Sequence, residues 1–332
     1  MRTLDLVKDV VVDEMHASNG TLKRFLNALL DGFVVLNKRI RKVINPKNKN
    51  SLSSLLVNLA FENYYPMEFA RKPRSLKYLP FWKATEQRQF LLYTGVVLLK
   101  PYIPAMHYEC FVMLCVSMHF LNSYDKYSDK MVTYAEALIE QFIQRAIELY
   151  GPTFVTHIVH ILYHLPKDAA RFGRIQKFSC YDFEDANFQL IRNVKSGNLP
   201  GKQAVERYLR KRFLCGVRQS KKIISKKTIC VRDFYFQAGR PGDQFCAVSN
   251  NFIKIESIKK YGDEIKIFGR KFQQISPLFE TPCNSKDFGI YKVEKLSSSL
   301  VSFSPEDITG KFYPIPIGEK TDKYGLIKQL HH

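Results

Sequence analysis

A chain of 332 residues, 45% hydrophobic and 13% aromatic, is long enough for two domains and rich enough for a true core, which excludes a disordered or low-complexity protein. The 51 Lys and Arg against 31 Asp and Glu leave a net charge of +20, far more than solubility requires, and point to a polyanionic partner: nucleic acid first, an anionic membrane surface second. No basic amphipathic helix suited to a bilayer interface accompanies that charge, so DNA is the expected partner and a membrane is set aside.

In chain order, "LDLVKDVVVDEMH" is β-branched and apolar at its centre and predicts a buried strand. Ser18 or Asn19 would then cap a helix "TLKRFLNALLDG" that Gly32 stops. The basic stretch "NKRIRKVINPKNKNSLSS" carries turn residues and reads as an exposed loop or a frayed helix pair. From about Leu52 to Leu165 the pattern is almost wholly helical. In "TYAEALIEQFIQRAIELYG" the apolar residues Leu138, Ile139, Phe142, Ile143, Ala146, Ile147 and Tyr150 recur at three- and four-residue spacing, one stripe that ends at Gly151-Pro152. The apolar segment "HYECFVMLCVSMHFLNS" falls short of the ~20 residues a membrane span needs and fits a buried helix.

A short extended piece then leads into a helix from about Glu184, closed near Gly197, and a second amphipathic helix "KQAVERYLRKRF" follows. Beyond it "FIKIESI", "EIKIFGRKF", "DFGIYKV", "SLVSFS" and "KFYPIPI" alternate apolar and polar residues between turn signals, the pattern of a small antiparallel β module. The boundary falls in the Lys/Arg-dense "CGVRQSKKIISKKTICVRD". The seven cysteines, odd in number and scattered, read as reduced thiols, and "MRTLDLVKDV" lacks the features of a signal peptide; the expected location is nuclear or cytoplasmic, not secreted. His157, His160 and His164 recur at helical spacing without the partner residues of a zinc hydrolase helix and read as structural.

Three long stretches, in order, resemble the transposase-like proteins of the CACTA group found in animal genomes: "EFARKPRSLKYLPFWKATEQRQFLLYTGVVLLK", "LYGPTFVTHIVHILYHLPKDAARFGRIQKFSCYDFEDANFQLIRNVKSGNLP" and "GRKFQQISPLFETPCNSKDFGIYKVEKL". "LVKDVVVDEMH" is similar to the family's Asp-x-Met-His segment. The resemblance implies an α+β chain: an incomplete RNase H-like core over 1–215 with an all-helical insertion at about 32–150, then a β-rich module over 216–332. It also implies metal-dependent DNA strand cleavage and transfer, in which carboxylates hold a pair of Mg2+ or Mn2+ ions.

By that resemblance Asp13 corresponds to the second catalytic acid and Glu184 to the third, both metal ligands, with His16 orienting Asp13 or approaching a phosphate. The family's first acid lies on an earlier strand upstream of the matched segment. The expectation is therefore a DNA-binding remnant without competent catalysis; the rivals are an active transposase within a longer product and a domesticated interaction protein without enzymatic activity. A sheet edge left open by missing strands would favour a homo-oligomer. Read from the residues alone, Asp13 is a helix cap or surface charge. Expected phosphate contacts are Arg71, Arg74, Lys83 and Arg88 around a buried Trp82, and the linker cluster Arg210, Lys211, Arg212, Arg218, Lys221, Lys222, Lys226 and Lys227, whose Lys pairs also suit a nuclear import signal.

Overall fold

A computed structural model describes residues 9–35, 38–40, 42–122, 129–217, 227–262, 264–318 and 322–330, without the side chains of 33–35, 38–40, 129 and 211–217. The chain is α+β: a helical region followed by a six-stranded antiparallel sheet closed into a barrel. Helix α1 (Glu14–Asp31) is capped by Asp13, not by Ser18 or Asn19, and ends at Gly32, whose φ of 77° suits a residue without Cβ. Residues 9–13 form no strand; the expected buried strand is corrected there, and residues 1–8 lie outside the described residues. The β-branched run "VVV" that suggested it precedes a cap, and propensity yields to the aspartate that starts the helix.

Leu22, Phe25, Leu26 and Leu29 give α1 one buried face at helical spacing. Gly20 lets that helix approach its neighbour, since a Cβ there would meet Ile158 at 2.5 Å. A short hairpin, β1 (Phe33–Val35) and β2 (Lys38–Ile40), follows, where a loop or frayed helices were expected. Helix α2 (Pro46–Phe61) starts from the Asn45 cap with Pro46 in its first turn, where the missing N–H costs nothing. Helices α3 (Ala84–Gln89) and α4 (Gly95–Leu98) are joined by a π-helical turn over 90–94. Helix α5 (Ala105–Asn122) is apolar on all sides and almost wholly buried against α6 (Asp129–Tyr150), which ends before Gly151-Pro152 as its stripe predicts. Two short helices, α7 (His157–His160) and α8 (Leu165–Phe172), lead to α9 (Tyr181–Asn193) and α10 (Pro200–Val217), which pack on each other.

Hairpin β3 (Thr228–Val231) and β4 (Phe234–Gln237) precedes the barrel strands β5 (Phe245–Val248), β6 (Asn251–Tyr261), β7 (Glu264–Pro277), β8 (Ile290–Phe303), β9 (Ile308–Pro316) and β10 (Lys323–Lys328). The barrel order is β10-β8-β7-β6-β5-β9, and β9 pairs with β10 to close it. Register shifts at Ile255/Ser257 and Arg270/Phe272 supply the extra bend that closure of so few strands needs. Alternate residues of β9 and β10 serve different cores. Phe312, Tyr324 and Leu326 pack with Phe245, Phe272 and Val293, whereas Tyr313, Ile315 and Ile327 join the large core of the helical region. At Gly325 the barrel touches α4 so closely that a Cβ would meet Val97 at 2.7 Å.

Among the described residues of the helical region the only strands are β1 and β2, so the central sheet of an RNase H-like core is not present there. Closure of the barrel pairs both margins of the large sheet. Among the described residues no helix is long and apolar enough to cross a membrane.

Candidate functional site

The two acids singled out in the sequence stand at the start of two helices that meet. Asp13 is the N-cap of α1: Oδ1 accepts the Met15 N–H at 3.2 Å and the Cys180 N–H at 2.8 Å, and Oδ2 accepts the His16 N–H at 3.1 Å and the Nδ1 of the same residue. Glu184 lies in the first turn of α9, where a negative charge is favoured by the helix dipole. His16 stands between them, its Nε2 3.9 Å from Glu184 Oε1. The structure thus brings Asp13, His16 and Glu184 together in one exposed row, with the imidazole separating the two carboxylates. The His16 and Glu184 side chains are 63% and 58% exposed and that of Asp13 is 20% exposed.

Burial works to raise the Asp13 pKa, but hydrogen bonds from the Cys180 backbone and from the ring and backbone of His16 prevail and hold the carboxyl below its ordinary value. Burial and the neighbouring Asp13 carboxylate push the Cys180 thiol up, so it is not an activated nucleophile. A pair of hard cations does not fit this arrangement. Both oxygens of Asp13 are engaged by two donors each, and a ring stands where a shared metal would bridge the acids. Among the described residues no group of three or more His, Cys, Asp or Glu side chains is placed to hold a metal ion.

Sequence reasoning missed the polar network beneath this row. Glu14 is 2% exposed; it accepts Ser18 Oγ at 2.9 Å and Ser179 Oγ at 3.1 Å. Asn19, read as a cap, is buried inside α1 and donates to the Tyr181 hydroxyl at 2.7 Å, which in turn donates to the Ala84 carbonyl at 3.1 Å. The signal was the polar "ASNG" in a stripe that should be apolar.

The expected phosphate contacts separate into unlike environments. Arg74 is consumed by Glu86 in a two-pronged pair at 2.5 and 2.7 Å and by the Phe81 carbonyl at 2.7 Å, which removes it from the surface set. Trp82 is buried against Phe90 with ring centroids 5.5 Å apart. Lys83 is exposed at the start of α3; Arg71 is exposed beside a cavity, and Arg88 lies half-buried in the wall of the same cavity. Arg210 projects from α10 into a groove of about 750 Å3 between α9 and α10, shared with Arg192, Lys195 and Arg207. Lys211 and Arg212 continue α10, but their side chains, like Arg218, Lys221, Lys222 and Lys226 entirely, lie outside the described residues; Lys227 is exposed just before β3.

The groove gathers four cations against one carboxylate, Asp185, which is bonded to Gln189 at 2.5 Å. Phe188, 56% exposed, lies under the Arg192 guanidinium at 5.5 Å. Arg207 is steadied by the Asn193 carbonyl at 2.5 Å. Cations interleaved with an exposed aromatic can hold a sugar-phosphate backbone and offer a face for stacking. Residues 214–327 match a family model described as a domain of unknown function (DUF8592), which covers less than half of the chain. No curated protein matches, and no solved structure matches.

Proposed function

We propose that the chain is a transposon-derived protein, related to the CACTA-group transposases, that binds DNA through its backbone without cutting it. The observation that carries the binding reading is the α9–α10 groove, where Arg192, Lys195, Arg207 and Arg210 surround an exposed Phe188. The ancestry rests on the order of the matched sequence motifs, and a nuclear location follows from the DNA partner. No strand-cleavage step is assigned to Asp13 and Glu184, because the carboxylate of Asp13 is occupied in capping α1 and anchoring Cys180.

Anisotropy of a labelled DNA duplex titrated at two salt concentrations tests the reading. Binding that weakens steeply with salt, and that weakens further in Arg192→Gln/Arg210→Gln, is the expected result. A duplex affinity insensitive to both would overturn it.

A further inference from the structure

A cavity of about 210 Å3 lies where the start of α9 faces α3 and the segment before it. An apolar cavity of about 150 Å3 is enough to take a benzene ring, so this one has room for a single ring system and not for a chain of them. Three aromatic side chains contribute to its wall: Phe69 and Tyr93, with centroids 5.2 Å apart, and Tyr181. The Tyr181 ring is fixed at its hydroxyl by Asn19 and Ala84, and the Arg88 guanidinium sits over it at 5.3 Å.

The polar groups of the wall are not all paired within the protein. Arg88 Nε, Thr85 Oγ1 and Gln176 Oε1 are buried and have no hydrogen-bond partner, a state that folded proteins seldom tolerate without a reason. They include both donors and acceptors. Arg71 stands exposed at the rim and adds a second cation. Of the two carboxylates in the lining, Glu68 is paired with Lys311 at 2.8 Å and Asp182 stands exposed to solvent, where its charge is screened. Aromatic faces, a mixed polar edge and two cations near the opening match a planar heterocycle that carries a phosphate.

We infer that this cavity binds one nucleotide, with the base between the aromatic walls and the phosphate towards Arg71 and Arg88. The nucleotide comes either free or as a unit turned out of a strand. Asp182 borders the cavity and Asp185 the groove, so the two lie along the same helix, α9. The inference does not depend on duplex binding, because the groove cations are not part of the cavity.

Calorimetric titration of the full chain with dAMP, dCMP, 2-deoxyribose 5-phosphate and inorganic phosphate tests it. The expected result is that both nucleotides bind at least tenfold more tightly than the sugar phosphate. Arg88→Met, and Ala70→Phe placed to plug the opening, should each weaken them at least tenfold while circular dichroism stays unchanged. Arg192→Gln/Arg210→Gln should keep nucleotide affinity even as it loses duplex affinity, which separates this site from the groove. Competition between dAMP and a single-stranded oligonucleotide, lost when its bases are removed, assigns the nucleotide to a strand; nucleotide binding without such competition assigns it to the free pool. Equal affinity for sugar phosphate and nucleotides, or nucleotide affinity unaffected by Ala70→Phe, would overturn the inference.

Discussion

Asp13 and Cys180, 167 residues apart in the chain, are joined by a hydrogen bond of 2.8 Å from the Cys180 backbone N–H to Asp13 Oδ1. One carboxylate therefore starts α1 and fastens the segment that starts α9. Asp13→Ala removes the cap and leaves the Cys180 N–H without its acceptor, an expected loss of ~1–3 kcal/mol. Asp13→Asn keeps a capping oxygen and should lose a fraction of that. Urea unfolding of the two variants checks the order; equal losses would mean that charge, rather than capping, is what the site needs. Because the folded pKa of Asp13 is depressed, its ionic stabilisation is present above the ordinary carboxylate value and is lost as pH falls through the lower folded one.

Lys311 ties the barrel to the helical region. Its ammonium is fully buried and meets Glu68 at 2.8 and 2.9 Å, Asp243 at 2.5 Å and the Tyr235 carbonyl at 2.6 Å. Lys311→Met takes the ammonium from Glu68 and leaves Asp243 with Arg240 at 3.0 Å as its remaining cation, and the expected cost is ~3–5 kcal/mol. Neutralising both carboxylates in the same chain, with Glu68→Gln and Asp243→Asn, should restore part of the loss. A denaturation midpoint for the triple variant no higher than for Lys311→Met would show that the ammonium acts through packing instead.

How far the fold was legible depended on whether a segment buries one face or two. The stripe of α6, from Leu138 to Tyr150, and the alternation of "FIKIESI" in β6 carry their own period, and both elements lie where the pattern placed them. Strand β5, "FCAV", and strand β10, "KYGLIK", are packed on both faces, so no alternation marks them, and they went unread. The row of Asp13, His16 and Glu184 is a contact between helix starts, and capping chemistry uses the same acids that a metal site would. A sequence shows which acids exist; the donors that already occupy them become visible only with the backbone in place. The groove was only partly legible, through Arg210, because Arg192 and Arg207 lie 15 residues apart on two helices whose pairing no local pattern records.

His119 gives the fold an acid-sensitive element. It is fully buried, its Nε2 is 2.7 Å from the Leu92 carbonyl, and burial pushes its pKa down to about 4. The unfolded chain binds a proton near the ordinary value of 6.5 and the folded chain does not, so stability falls as pH is lowered from 6.5 to about 4. The loss expected over that window is at most about 3 kcal/mol. His119→Gln keeps a donor for Leu92 without the titration. Urea unfolding at pH 7 and pH 4.5 should show a smaller pH difference in the variant; an unchanged difference would place the acid sensitivity elsewhere.

The proposed backbone binding in the α9–α10 groove predicts a measurable charge number. If all four cations meet phosphates of duplex DNA, the groove contributes about −3 to −4 to the slope of log affinity against log salt, a roughly hundredfold loss between 50 and 200 mM. Arg192→Gln/Arg210→Gln should make that slope shallower by about 2. Phe188→Ala should behave differently, because stacking is worth ~1–3 kcal/mol per base and displaces no counterions. It should weaken single-stranded DNA at every salt concentration, spare the duplex and leave the slope unchanged. A Phe188→Ala chain that binds both forms as tightly as the parent would confine the groove to phosphate contacts, and a salt slope unmoved by the arginine pair would place the DNA on another face of the protein.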